Sequence, residues 1–197
     1  MTNTHIGLFR HGQTDWNINF LLQGITDVPM NETGIAQVIQ AREALLMQEW
    51  DVLLTSPLGR ARHSAQLVAE VLGLELRIEE LLVERSFGEA EGLSYDQWRE
   101  KFETMEEIPG VEPKHLVESR AVSLMEKIRI EHSGKRVLAV SHGAFIRSVI
   151  AIASDYELPR DGERLSNASL NELAHLESGW SIKRYSLDAL KLSDGIQ

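Results

Sequence analysis

The sequence predicts an α/β fold, an open and mostly parallel sheet flanked by helices, and three observations carry that prediction. Short apolar runs alternate with longer segments of helical period over residues 6–154, the pattern of successive strand–helix units. Two of those runs, Ile6-Gly7-Leu8-Phe9 and Val137-Leu138-Ala139-Val140, have no polar alternation, as expected of strands covered on both faces. Near the C-terminus, residues 170–176 and 180–185 flank Glu177-Ser178-Gly179, a hairpin that would add antiparallel members to the sheet.

The first strand runs into Arg10-His11-Gly12, where the chain reaches a loop. Asn31-Glu32-Thr33-Gly34 precedes a helical pattern through Ile35, Val38, Ile39, Ala41, Leu45 and Leu46, with Thr33 placed as its cap. Asp51-Val52-Leu53-Leu54-Thr55 reads as the second strand and Ser56-Pro57 as a break, after which residues 59–72 form a helix stopped by Gly73. Residues 74–78 alternate apolar with charged side chains and give a short third strand. Residues 81–92 then read as a loop of the length often tied to function. A short helix follows over 95–102. The acidic stretch 103–114, with Pro109-Gly110 and Pro113, reads as a surface excursion that could cover a pocket. Over 117–132 the period turns Val117, Ala121, Leu124, Met125 and Ile128 to one side of a helix. The strand 137–140 ends in Ser141-His142-Gly143, and an apolar helix occupies 144–154. From Lys191 onward the chain is polar and expected to fray. One domain is expected over 1–197, with 93–120 as an inserted loop and helix region.

Composition narrows the chemistry. With 43% hydrophobic and 25% charged residues among 197, the chain has the make-up of an ordinary soluble domain. No apolar run approaches the roughly eighteen residues of a membrane span. Arg10, His11 and Asp15 stand where a signal peptide would need an apolar block, so a cytoplasmic location is expected. The absence of cysteine excludes disulfides, thiolate zinc sites and cysteine nucleophiles. A formal net charge of −10 argues against nucleic acid or an anionic membrane surface as partners. An anionic substrate must therefore meet local positive charge against the global field, and clustered arginines and histidines become informative.

Two such clusters have the same form. Ligand sites of open α/β sheets lie beyond the carboxyl ends of the strands, and both Arg10-His11-Gly12 and Ser141-His142-Gly143 sit there. A single histidine in that position is ordinarily a hydrogen-bonded polar residue. Two in the same context, if their strands are neighbours, bring two imidazoles together. Ser56-Pro57-Leu58-Gly59-Arg60-Ala61-Arg62 adds an arginine at a helix start, where anions are already favoured. Arg60 alone would be read as a solvated helix residue. Together with Arg10 it could grip phosphoryl oxygens bidentately, whereas Arg62 reads as helix surface.

The ordered set resembles a known family. Leu8-Phe9-Arg10-His11-Gly12-Gln13-Thr14-Asp15-Trp16-Asn17 is similar to the signature of the histidine phosphatase superfamily, which includes cofactor-dependent phosphoglycerate mutases. Gln23-Gly24 with Asp27-Val28-Pro29-Met30, then 56–64, 84–92 and Ser141-His142-Gly143, follow in the family's order. The resemblance implies a three-layer α/β/α sandwich of the phosphoglycerate mutase type. It implies His11 as nucleophile and Glu84 as proton donor, with His142 completing the catalytic set. Arg10, Arg60 and Asn17 would bind the phosphoryl group, and Gln23 and Gly24 would line the pocket mouth. Thr14 and Asp27 would be supporting positions. It also implies that no metal and no cofactor are used, and that the partner is a small phosphorylated metabolite.

Chemically, His11 must attack phosphorus through a neutral ring nitrogen, and Arg10, Arg60 and a protonated His142 would all lower its pKa. Glu84 would protonate the departing alkoxide and later take a proton from water. His5, His63, His115, His132 and His175 lie in ordinary polar or helical contexts and receive no role. Trp16 and Trp98 read as packing residues. Phe87 stands where the mutases carry tyrosine, Tyr95 where they carry lysine, and 93–120 lacks their adjacent arginine pair. Hydrolysis is therefore favoured over a mutase reaction. A non-catalytic phosphate-binding domain would need neither His11 nor Glu84. An apolar edge strand is compatible with a homodimer.

Overall fold

A computed structural model describes residues 3–160 and 162–188. Strand β1 (Thr4–Arg10) pairs in parallel with β4 (Arg136–Ser141) and antiparallel with β5 (Ser169–Leu176). Beyond β4 lie β2 (Val52–Thr55) and β3 (Leu76–Ile78), both parallel; beyond β5 lies β6 (Gly179–Asp188), antiparallel. Among the described residues the sheet has the order β3-β2-β4-β1-β5-β6. It is the mostly parallel mixed sheet expected, with the hairpin as its antiparallel part.

The helices are α1 (Asp15–Ile18), α2 (Glu32–Leu45), α3 (Gly59–Leu72), α4 (Tyr95–Lys101), α5 (Lys114–Glu131) and α6 (Gly143–Ala153). Side chains alternate across a strand, so each central strand feeds two cores. Ile6, Leu8, Val52, Leu54, Val137 and Ala139 pack with Val117, Leu124, Phe145 and Val149 of α5 and α6. Phe9, Leu53, Leu138 and Val140 pack with Val38, Leu45, Ala61 and Val68 of α2 and α3. The result is helix, sheet and helix in three layers. No helix among the described residues is long and apolar enough to cross a membrane.

Several boundaries differ from the sequence reading. The cap of α2 is Asn31, whose Oδ1 accepts the Gly34 N–H at 2.8 Å. Thr33 already lies inside the first turn, so its hydroxyl is in the wrong place to cap it. Helix α5 begins at Lys114 because Pro113, at φ −57°, leads directly into it. Strand β3 starts only at Leu76. The four-residue α1 is too short to show a period. The 103–114 stretch is anchored: Ile108 is buried with Phe87, Ala90 and Trp98, so this excursion carries its own small core. Helix α3 and its left-handed stop at Gly73 fall where expected. The expectation for Lys191 onward lies outside the described residues.

Candidate active site

The three central parallel strands end on one side of the sheet, and register fixes what meets there. Arg10 pairs with Ser141, and Thr55 with Val140. His11 and His142 each follow by one residue, and Ser56 follows Thr55. Backbone bonds extend the ladder to these positions, His11 N–H to Ser141 O and Ser56 N–H to Val140 O, both 3.0 Å. The imidazoles of His11 and His142 consequently lie 5.1 Å apart, centroid to centroid, and both are buried. This is the convergence expected from the two His-Gly strand ends.

Each ring has one nitrogen assigned by its partner. His11 Nδ1 lies 2.7 Å from Gly12 O. A carbonyl only accepts, so Nδ1 carries the proton and Nε2 keeps its lone pair. His142 Nε2 lies 2.7 Å from Ser56 Oγ, while its Nδ1 is buried without a hydrogen-bond partner among the described residues.

Both arginines are drawn in and held by backbone carbonyls. Arg60 is 1% exposed and donates through Nη2 to Gly24 O at 2.7 Å and through Nη1 to Thr26 O at 2.8 Å. Arg10 donates through Nη1 to Leu165 O. The Nε of each is buried and unpartnered among the described residues. Such orphaned donors are costly unless an acceptor reaches them, and a phosphoryl group supplies acceptors.

Glu84 is buried at the N-terminus of α6. Its Oε1 accepts the N–H groups of Arg85 and Phe145, both at 2.9 Å, and its Oε2 accepts that of Ala144 at 3.1 Å. Oε1 is thus filled, and Oε2 retains the lone pair that can exchange a proton. Asn17 Oδ1 accepts from Thr14 N–H at 3.0 Å and from Asn167 Nδ2 at 3.1 Å. That leaves Nδ2 as the end of the amide able to donate to an anion. Gln23 is buried with Oε1 unpartnered among the described residues. Gly24 has φ +54°, and a Cβ there would lie 1.9 Å from Glu91 Oε1, so any side chain at this position would displace the Glu91 carboxylate.

Thr14 caps α1, and Asp27 accepts the Gly59 N–H at 2.9 Å while lying 3.9 Å from Arg60 Nη1; both are supporting positions. Arg62 is exposed, and Trp98 is buried in the small core with Ile108. Three contributors were assigned no role from the sequence. Ser56 touches His142. Asn167 bridges His11 O and Asn17. Glu91 accepts from Ile25 N, Thr26 N and Phe87 N at 2.9–3.0 Å, tying the loop that holds Arg60 to the loop that carries Glu84. For Ser56 a signal existed in its place at a strand end. Asn167 lies in a segment with no motif, and only strand order brings it to β1.

Electrostatically the site is cationic and short of anions. Burial, then Arg60 and Arg10, hold His11 well below the ordinary histidine value of 6.5. Burial and Arg60 do the same to His142. Of the two forms of His142 that the sequence left open, burial and the charge of Arg60 favour the neutral one. Burial pushes Arg10 down to about 10, partly offset by Glu84. Among the described residues, no group of three or more His, Asp or Glu side chains is placed to hold a metal ion.

Comparison with known proteins accounts for this arrangement. Residues 6–188 match the profile of the histidine phosphatase superfamily (branch 1). The chain is 32% identical over 186 residues to an uncharacterized phosphatase, PhoE, of Bacillus subtilis, covering 94% of this chain and 96% of that one. It is 31% identical over 188 residues to a probable phosphoglycerate mutase, GpmB, of Photorhabdus laumondii, covering 88% and 86%. A mycobacterial glucosyl-3-phosphoglycerate phosphatase, Rv2419c, solved with VO3, superposes with a TM-score of 0.79 at 26% identity over 92% of this chain and 98% of that one. Relatives of both phosphatase and mutase type thus match most of its length, and the chain belongs to the histidine phosphatase superfamily.

Proposed function

We propose that the chain is a metal-independent phosphomonoesterase that hydrolyses a small phosphorylated metabolite through a phosphohistidine at His11. The observation that carries this reading is the geometry of His11, a buried neutral ring whose Nδ1 is spent on Gly12 O. Nε2 is thereby left as the nucleophile. Arg10, Arg60, Asn17 Nδ2 and His142 Nδ1 surround the place where equatorial phosphoryl oxygens would carry charge, and that charge stabilisation is the main task in phosphoryl transfer.

The steps balance. As Nε2 bonds to phosphorus, the ester P–O bond breaks and the alkoxide takes the proton carried on Glu84 Oε2. The phosphorylated ring is cationic while Nδ1 keeps its proton, and Gly12 O stabilises that charge. Water then attacks phosphorus and gives its proton to Glu84. The N–P bond breaks, releasing inorganic phosphate and restoring neutral His11.

Hydrolysis rather than mutase chemistry is favoured by the residues around the mouth. Two arginines of the 84–120 region are already engaged, Arg85 with Glu106 at 2.8 Å and Arg120 with Glu112 at 2.8 Å. Arg99 stacks on Tyr95. No adjacent arginine pair stands there to hold a second substrate. The reading is tested by incubating chelator-treated protein with 3-phosphoglycerate, phosphoserine, sugar phosphates, α-ribazole phosphate and an aryl phosphate. Free phosphate should appear, and 2-phosphoglycerate should not accumulate. Isomerisation with little phosphate release would make the chain a mutase. In His11→Ala, turnover should be abolished with the thermal midpoint retained; near-normal activity would remove His11 from the nucleophile's role.

A further inference from the structure

The geometry points to Arg164 as a specificity-determining residue that receives a carboxylate on the alcohol portion of the substrate. This inference rests on the phosphomonoesterase reading and adds to it the class of ester preferred.

Arg164 is exposed, in the segment that returns from α6 to β5. Its neighbours in sequence are parts of the site: Leu165 O holds Arg10, and Asn167 holds His11 O and Asn17. Its guanidinium carbon lies 5.3 Å from the centroid of the Phe20 ring. Phe20 comes just after α1. The pair therefore joins the end of α1, which carries Asn17 of the site, to the segment before β5, which carries Asn167. The positive charge of Arg164 is also felt at Arg10, a member of the candidate phosphoryl site.

Phe20 is itself unusual. It is 66% exposed and has φ +53°, a conformation strained for a bulky residue. No core burial offsets that strain. What the conformation does is present the ring face to Arg164, a contact that orients a guanidinium without using any of its N–H donors.

Other cations of the neighbouring segments have polar partners: Arg85 is tied to Glu112 O and Glu106, and Arg147 donates to Glu163 O. Arg99 stacks on Tyr95 and Trp98 of its own helix. Lys114 lies 3.6 Å from Glu118. Arg164 has no hydrogen bond or ion pair to any described residue, and its five donors are held ready in a planar fork. Arg10 and Arg60 already match the two charges of a phosphoryl group. Arg164 is then surplus to the reacting group, and a planar carboxylate is the anion its fork fits best.

The test compares 3-phosphoglycerate with glycerol 3-phosphate, which share a carbon chain and differ in carboxylate against hydroxymethyl. For Arg164→Gln, kcat/KM for 3-phosphoglycerate should fall about tenfold, the effect of one partly exposed charged hydrogen-bonded pair. The loss should lie in KM. Glycerol 3-phosphate should change less than about twofold, and Arg164→Lys should restore part of the loss. Phe20→Ala should reproduce the discrimination to a smaller degree. Equal losses on both esters would assign Arg164 to the phosphoryl group and overturn the inference, as would no loss on either. Calorimetric binding of the two esters to His11→Ala protein, with and without Arg164→Gln, separates the two readings. A ratio that depends on Arg164 without turnover by the parent enzyme sinks the phosphatase reading alone. Turnover with an unaltered ratio sinks this inference alone.

Discussion

In the proposed reaction His142 would act on the phosphoryl group as a neutral donor, and its neighbour Ser56 decides whether it can. Ser56 Oγ accepts the Leu58 N–H at 3.3 Å and can give its own proton to His142 Nε2 at 2.7 Å. Nδ1 then carries the ring proton and becomes a donor aimed at the substrate. Replacing Ser56 with alanine should release this tautomer. With phosphate bound, nitrogen NMR should show Nδ1–H in the wild type and a mixture in Ser56→Ala, and kcat/KM should drop about tenfold, the worth of one hydrogen bond of this kind. An unchanged tautomer would leave Ser56 a packing residue. For Glu84→Gln the expected signature is unequal loss. Alkyl esters should suffer far more than aryl phosphates, because only a poor leaving group needs full protonation; equal losses would take the proton-donor role from Glu84. Arg10, His11 and His142 were legible because each stands at the exit of an apolar strand, and Arg60 because it opens a helix just beyond one. Ser56 offered only its place at a strand end, and Asn167 offered nothing, since a hydroxyl or amide acquires a role only from a partner that another segment delivers.

At the scale of elements, the site depends on two loops joined by one carboxylate. Glu91 accepts from Ile25 and Thr26 on one side and from Phe87 on the other, and the segment it holds supplies the Gly24 and Thr26 carbonyls that orient Arg60. Glu91→Ala should therefore loosen Arg60 without touching it, and kcat/KM should fall about tenfold or more. Gly24→Ala should have a similar effect, since its methyl would collide with Glu91. The two changes break the same clamp, so the double variant should lose little beyond either single one; full additivity would mean that they act separately. Regular elements were legible where their period ran long, as in α3 with its Gly73 stop. The clamp was not, because its hydrogen bonds run from Glu91 to backbone N–H groups that sequence does not position. The 103–114 stretch looked like a solvated excursion from its acids and prolines, yet Ile108, with Met105 and Val111 packed beside it, pins it to Phe87 and Trp98.

For the molecule as a whole, a pocket lined by neutral histidines and buried arginines links activity to acid stability. His11 and His142 are held well below 6.5 by burial and by Arg60, so between that value and their folded pKa values the unfolded chain takes up protons that the folded chain refuses. Their contribution to stability is complete above pH 6.5 and is lost as the pH falls below it. Each group in that window adds a slope of about 1.4 kcal/mol per pH unit. His5 and His132 are lowered by burial as well and act in the same sense. The thermal midpoint of the wild type should therefore drop steeply between pH 6.5 and 5, and the double variant His11→Asn/His142→Asn should show a shallower drop. Should the double variant keep the full wild-type slope, the two catalytic-site rings would have to be protonated in the folded protein at pH 5. His11 would then lack the neutral nitrogen that its attack on phosphorus requires, and turnover should disappear over the same interval in which the ring gains its proton.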